Sequence, residues 1–158
     1  TKVVRRSNAL QGFPYGADFH YDESQLCKNR TSAILTTALV GAAMGGTLFS
    51  ASRALLKRFL PKPGEGPDFD ARASGFFEFW AHGISPETKK SMRVKVTGQR
   101  DPGYGATSRM LAQAGLSLAR DEPVVDGGIW TPASAMGDAL LHRLPTVDIS
   151  FEVIEPAT

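Results

Sequence analysis

The chain has a single cysteine, Cys27, among 158 residues. One cysteine excludes an internal disulfide framework and offers no pair of thiolates to a metal, so no metal site is expected and a reducing, intracellular compartment is the default. Excess charge is also lacking: 18 Lys and Arg stand against 16 Asp and Glu, a net charge of +2. No basic run interrupts that balance, which argues against nucleic acid as a partner. No signal peptide is read at the start, so the sequon Asn29-Arg30-Thr31 is not expected to be glycosylated. There is no Met at position 1 either. Thr1-Lys2-Val3-Val4-Arg5-Arg6-Ser7 reads as the middle of a strand, and the expectation is a chain whose first half lies elsewhere. Finally, no Gly-x-Gly-x-x-Gly follows a strand, so the chain holds no complete dinucleotide-binding unit and no Rossmann domain.

What is present is globular in composition, with 42% apolar and 22% charged residues and length enough for one core. Residues 2–26 read as irregular β structure, with turn signals at Gly12, Pro14 and Gly16 and β-forming character at Phe19-His20-Tyr21. Between Arg30 and Arg53 lie 22 uncharged residues, read as one long hydrophobic helix. At about 1.5 Å per residue such a helix spans roughly 33 Å. Its strongly apolar members are Ile34, Leu35, Leu39, Val40, Met44, Leu48 and Phe49, and the rest is mostly small. Gly41 and Gly45 sit one turn apart, a spacing that lets helices approach closely. Arg53 to Leu60 alternates bulky apolar and basic residues and suits an anionic lipid surface. Three placements remain open for this segment: packed in protein, resting on a membrane, or spanning one.

Pro61 to Pro67 forms a loop. Gly75 to Gly83 is a strand by its aromatic content, and Arg93 to Thr97 alternates as a second, the two making a hairpin with a long exposed tip. Thr107 to Ala119 and Thr131 to Leu144 read as helices, the latter with Thr131 as N-cap and Pro132 at its first position. Val147 to Val153 closes the chain as an alternating strand. The expected fold is α+β: a mixed, mainly antiparallel sheet with flanking helices.

No standalone catalytic constellation is visible, and the catalytic residues stay unassigned. His20, His82 and His142 are far apart in sequence and read as structural or surface residues. Asp138 falls two turns into the last helix, on a solvated face or in an inter-domain ion pair. Cys27, beside Lys28 and near Arg30, reads as passive. Gly103-Tyr104-Gly105 leads toward a helix and reads as a turn, with anion binding as the alternative.

Four stretches together resemble the saccharopine dehydrogenase-like oxidoreductases, C-terminal portion: Arg5 to Leu10 with Tyr15-Gly16; Arg58 to Pro67; Asp101-Pro102-Gly103-Tyr104-Gly105-Ala106-Thr107; and Gly127 to Asp138. Their order matches, and the resemblance runs along nearly the whole chain. Arg100 departs from the family pattern, which has a glycine before Asp-Pro-Gly. The resemblance, which extends to trans-acting enoyl reductases, implies that residues 1–158 are a C-terminal substrate and dimerisation domain. NAD(P) would be bound by an N-terminal Rossmann domain missing from this chain, and the chain alone would bind none. It further implies a homodimer, an acyl substrate, and a cytoplasmic or peripherally membrane-associated protein. Tyr104, Thr131 and Ser134 are the cleft candidates, Tyr104 because a tight turn fixes it and the other two because they open the last helix. The alternative is a non-catalytic lipid-surface or scaffold module.

Overall fold

A three-stranded antiparallel sheet, β1-β2-β3, organises the larger part of the protein in the computed structural model, which describes residues 2–59 and 64–154. β1 is Phe76–Ile84, β2 is Ser91–Gln99 and β3 is Ile149–Ile154. The hairpin expected from the sequence pairs Phe76 with Gln99 through Ile84 with Ser91, and β3 joins β2 from Arg93–Ile154 to Gly98–Ile149. The sheet is purely antiparallel, where a mixed one was allowed.

Because directly paired residues share a face, the register sorts the side chains cleanly. One face carries Phe77, Gly98 and Ile149 in a row, then Phe79, Val96 and Phe151, then Ala81, Val94 and Val153. The other face is polar: Glu78 bonds Lys95 at 3.0 Å, the Trp80 indole N–H donates to Glu78 at 2.6 Å, and Thr97 meets Ser150 at 2.6 Å. Lys95 also lies 5.3 Å from the Trp80 ring centre. Those contacts hold the Glu78 carboxyl below its ordinary range, the Lys95 hydrogen bond first.

Helix α5, Gly105–Arg120, and the 3-10 turn Leu144–Val147 cover one end of the apolar face. Ala106, Leu144 and Ile149 form the buried core there, with Phe77, Val96, Met110, Leu140 and Val147 packed around it. The other end is bare: Phe79, Phe151, Met92 and Val153 remain 41–66% exposed.

The helix expected over 131–144 is broken into α6, Pro132–Ala135, and α7, Gly137–Arg143. Gly137 has φ 46°, which ends the first segment, and Pro145 tightens the far end into the 3-10 turn. Asp138 therefore sits in the first turn of α7, exposed, rather than two turns into a longer helix. Arg143 grips Asp121 with two hydrogen bonds, tying α7 to the end of α5. That grip, with help from Ser117, pulls the Asp121 carboxyl down to about 2.

Helix was not expected at two places. Lys2–Leu10 is α1, not irregular β, and Phe69–Ser74 is α4. The buried face of α1 is polar, Ser7 and Asn8, so it left no apolar periodicity to read. Asn8 holds the following turn, donating to the Gly16 carbonyl at 2.8 Å and accepting from Tyr15 N–H at 3.0 Å. Phe19-His20-Tyr21 forms no strand; the Phe19 ring instead lies loosely between those of Tyr15 and Tyr21. Asp68 caps α4 by accepting from Ala71 N–H at 2.7 Å.

These elements form one compact unit, Thr1–Tyr21 with Pro67–Thr158; Asp22–Gly66 is a second. In the second, the long hydrophobic helix is corrected to two: α2, Arg30–Gly46, and α3, Ser50–Phe59. Gly45 and Gly46 weaken the helix where Thr47 bends back to donate to the Met44 carbonyl, and Ser52 donates to Gly46 and Phe49 carbonyls across the turn. Asn29 caps the start, accepting from Ser32 N–H at 2.8 Å. No residue of α2 is buried, and the space beyond Gly41 and Gly45 is open. Among the described residues no helix is long and apolar enough to cross a membrane. Part of the expected 61–67 loop, residues 61–63, lies outside the described residues, while Gly64 to Pro67 is irregular.

Candidate functional site

Tyr104 is set by the turn that starts α5. Asp101 accepts from the N–H of Tyr104 at 2.7 Å and of Gly105 at 3.4 Å. The Tyr104 amide leads the groups that hold the Asp101 carboxyl below its ordinary range. The turn is bolted to the start of β1: Arg100 N–H donates to the Gly75 carbonyl at 2.6 Å, and Asp101 N–H to the Arg72 carbonyl at 3.0 Å. A side chain at Gly75 would sit 2.5 Å from the Asp101 nitrogen, so the close approach requires glycine.

Tyr104 is 59% exposed. With Phe69, Arg72, Arg100, Ser108 and Arg109 it lines a cavity of about 200 Å³. α4 brings Phe69 and Arg72, and α5 brings Ser108 and Arg109. None of these four residues stood out in the sequence. Only Arg100 gave a signal, as a departure from an expected glycine.

Thr131 and Ser134 are brought together elsewhere. Thr131 is the N-cap of α6 in a full capping box: its N–H donates to the Ser134 hydroxyl at 3.0 Å, and Ser134 N–H donates back at 3.4 Å. The Thr131 hydroxyl also meets Ser7 of α1 at 2.7 Å, and both Thr131 and Ser134 are 5% exposed. Arg6 donates to the Ile129 carbonyl at 3.1 Å and Gln11 to the Ala133 carbonyl at 3.2 Å, so α1 and the turn after it hold the segment on both sides of Thr131. Neither hydroxyl lines the Tyr104 cavity. At four residues α6 is too short to carry much of a helix dipole toward a ligand.

The remaining candidates are dispersed. His20, His82 and His142 are exposed on a loop, on β1 and on α7, and a ring nitrogen of His142 lies 2.7 Å from the Asp138 carbonyl. Cys27 is half-buried in the second unit.

Comparison with known proteins finds similar chains. A Mycobacterium tuberculosis (strain H37Rv) protein named as a candidate trans-acting enoyl reductase is 36% identical over the whole of this chain. Trans-acting enoyl reductases of Mycobacterium bovis and Mycobacterium ulcerans are 39% and 35% identical over 92% and 94% of it. The chain is similar to part of these trans-acting enoyl reductases. It spans about 40% of the length of the first of these relatives and 36–37% of the others. No family model matches the chain, and no solved structure matches it significantly.

The likeness to trans-acting enoyl reductases runs through both units, so neither is foreign to that lineage. It assigns no residue a function.

Proposed function

We propose that this chain is the substrate-side and dimerisation part of an NAD(P)-dependent reductase acting on the enoyl group of an acyl chain, a C-terminal portion akin to the saccharopine dehydrogenase-like oxidoreductases. The observation that carries this reading is identity of 36% along the whole chain to a region amounting to 40% of a trans-acting enoyl reductase. The nucleotide is held by a domain outside the chain. The residues present do not fit a dinucleotide: at the Gly103-Tyr104-Gly105 turn, the Asp101 carboxylate already takes the amides of Tyr104 and Gly105 that a pyrophosphate would need.

Tyr104 is the cleft residue of this proposal, exposed at a fixed turn. Thr131 and Ser134 take no part in that cleft; they fix the start of α6 against α1. The bare end of the apolar sheet face, around Phe79 and Phe151, supplies the surface for a second subunit or a neighbouring domain. The test is a chimera in which this chain replaces the matching region of the tuberculosis relative. It is expected to retain that protein's enoyl reduction. A folded chimera with no reduction would sink the reading.

A second reading concerns where the protein works, and a specific observation favours it. From Ser24 to Gly64 there is no Asp or Glu, while Lys28, Arg30, Arg53, Lys57, Arg58 and Lys62 are all basic. Within the same stretch Leu26, Ile34, Leu35, Leu39, Met44, Leu48 and Phe49 are 61–81% exposed. Exposed apolar helices carrying only positive charge complement an anionic lipid surface, and we infer peripheral membrane attachment through this unit. In flotation with anionic vesicles the protein is expected to rise with the lipid. Arg53→Gln with Arg58→Gln removes two cations, each contributing about 1 kcal/mol, and should weaken binding about 30-fold. Flotation equal on neutral vesicles, or none at all, would contradict the attachment.

A further inference from the structure

Three arginines from three elements reach the cavity beside Tyr104: Arg72 on α4, Arg100 after β2, and Arg109 on α5. Two of them are engaged. Arg109 is ion-paired with Asp148. Arg72 donates through Nε to the Asp68 carbonyl at 3.3 Å, and its charge also acts on Asp101. The Arg100 side chain has no hydrogen bond or ion pair among the described residues, although the residue is half-buried.

Arg100 also occupies a backbone conformation that side chains disfavour. Its φ is 83°, where glycine is at ease and other residues are strained. The hydrogen bonds to Gly75 and Arg72 dictate that conformation, so glycine would satisfy the turn without strain. An arginine held there, unmatched and beside two further cations, has a use if something anionic completes it. The cavity, about 200 Å³, has room for a phosphate-sized group and is smaller than the pockets that enclose whole ligands. The start of α5 takes no part, since Asp101 already accepts from its amides.

We propose that the Arg72–Arg100–Arg109 cavity binds a phosphate-type oxyanion, with Arg100 as its principal ligand and the Tyr104 ring as one wall. The guanidinium fork offers paired N–H donors to such a group, a geometry lysine lacks. The phosphate has two chemical sources, a nucleotide or the phosphopantetheine arm of an acyl carrier. The site stands on its own geometry and does not depend on the reductase reading.

The experiment is a pyrophosphate titration of the 158-residue chain followed by NMR of backbone amides and arginine side chains, at constant ionic strength. Saturable shifts at Arg100, Tyr104 and Ser108 are expected, in the millimolar range. Arg100→Gly should weaken binding at least about fivefold, the loss of a charged hydrogen-bond partner, while melting at the same or a higher temperature because strain is relieved. Arg100→Gln, which keeps the backbone demand but not the charge, should weaken it similarly. Displacement by adenosine 2′-phosphate points to the nucleotide source, and displacement by phosphopantetheine to the carrier arm. No saturable shift, shifts spread evenly over the surface arginines, or undiminished binding by both variants would overturn the proposal.

Discussion

Replacing Gly98 with valine should destabilise the larger unit by about 3 kcal/mol. Gly98 sits in β2 between Phe77 on one neighbour strand and Ile149 on the other. A side chain there would overlap the Phe77 ring, with its Cζ at 2.6 Å, and reach Ile149 Cδ1 at 2.8 Å. Neither residue has somewhere to go. Ile149 is 2% exposed, and Phe77 packs against the same core of Ala106 and Leu144. The glycine is thus the socket into which the Phe77 ring lies flat across the sheet. Gly83, on the same face of β1, is the matched control, because nothing stands within 4 Å of its missing side chain. Gly83→Val should change stability by less than about 0.5 kcal/mol, since it meets no neighbour and valine suits a strand. Urea unfolding of the two variants measures the contrast directly. Equal losses would mean that the Phe77 ring is not seated on Gly98.

Thr131→Val should cost about 2–3 kcal/mol, though the side chain keeps its shape. The hydroxyl does three jobs: it caps α6, it pairs with Ser134, and it meets Ser7 of α1. Losing a cap costs about 1 kcal/mol, and leaving a buried hydroxyl partner unsatisfied costs about 1–3 kcal/mol more. Ser7 retains one bond, donated to the Val3 carbonyl at 2.9 Å, which limits the total. Thr131→Ser should lose much less, because it preserves the oxygen. A cycle of Ser7→Ala with Thr131→Val is expected to show coupling of about 1 kcal/mol or more, as for groups in one network. Additive losses would show that α1 and α6 are held by packing and not by these hydroxyls.

The sheet and α5 were readable in the sequence because their signals are local. β1 is aromatic and β2 alternates, and the short separation between them implied the hairpin. What escaped were elements whose order comes from distant partners. α1 buries Ser7 and Asn8, polar residues that announce nothing until Thr131 and Gly16 are brought to them. The long helix of 31–52 looked continuous because composition marks the absence of charge but not the turn at Thr47, where side-chain hydroxyls bond back to carbonyls. At 131–144 the capping signal was sound and the length was not, since Gly137 takes a positive φ in the middle. The turn that holds Tyr104 and the cap that joins Thr131 with Ser134 were legible as local geometry. The arginines around Tyr104 were not, because Arg72 and Arg109 are ordinary surface residues until β1 and α5 converge on one turn. Arg100 is the intermediate case. A glycine was expected there, and the backbone does have the conformation glycine favours, with an arginine in it.

The central claim is that this chain contributes the substrate side of a reductase and leaves the dinucleotide to another domain. Isothermal titration of NADPH into the 158-residue chain tests it most directly. A dinucleotide site needs glycines that admit the pyrophosphate, free amides at a helix start, and a residue further on to read the ribose. Here Asp101 occupies the amides at the start of α5, and the cavity beside Tyr104 has room for one phosphate-sized group. A single subsite bears the ordering cost of binding without the contacts that offset it. No binding tighter than about 1 mM is expected, an affinity near −4 kcal/mol. A micromolar constant would contradict it and place the nucleotide site within these residues.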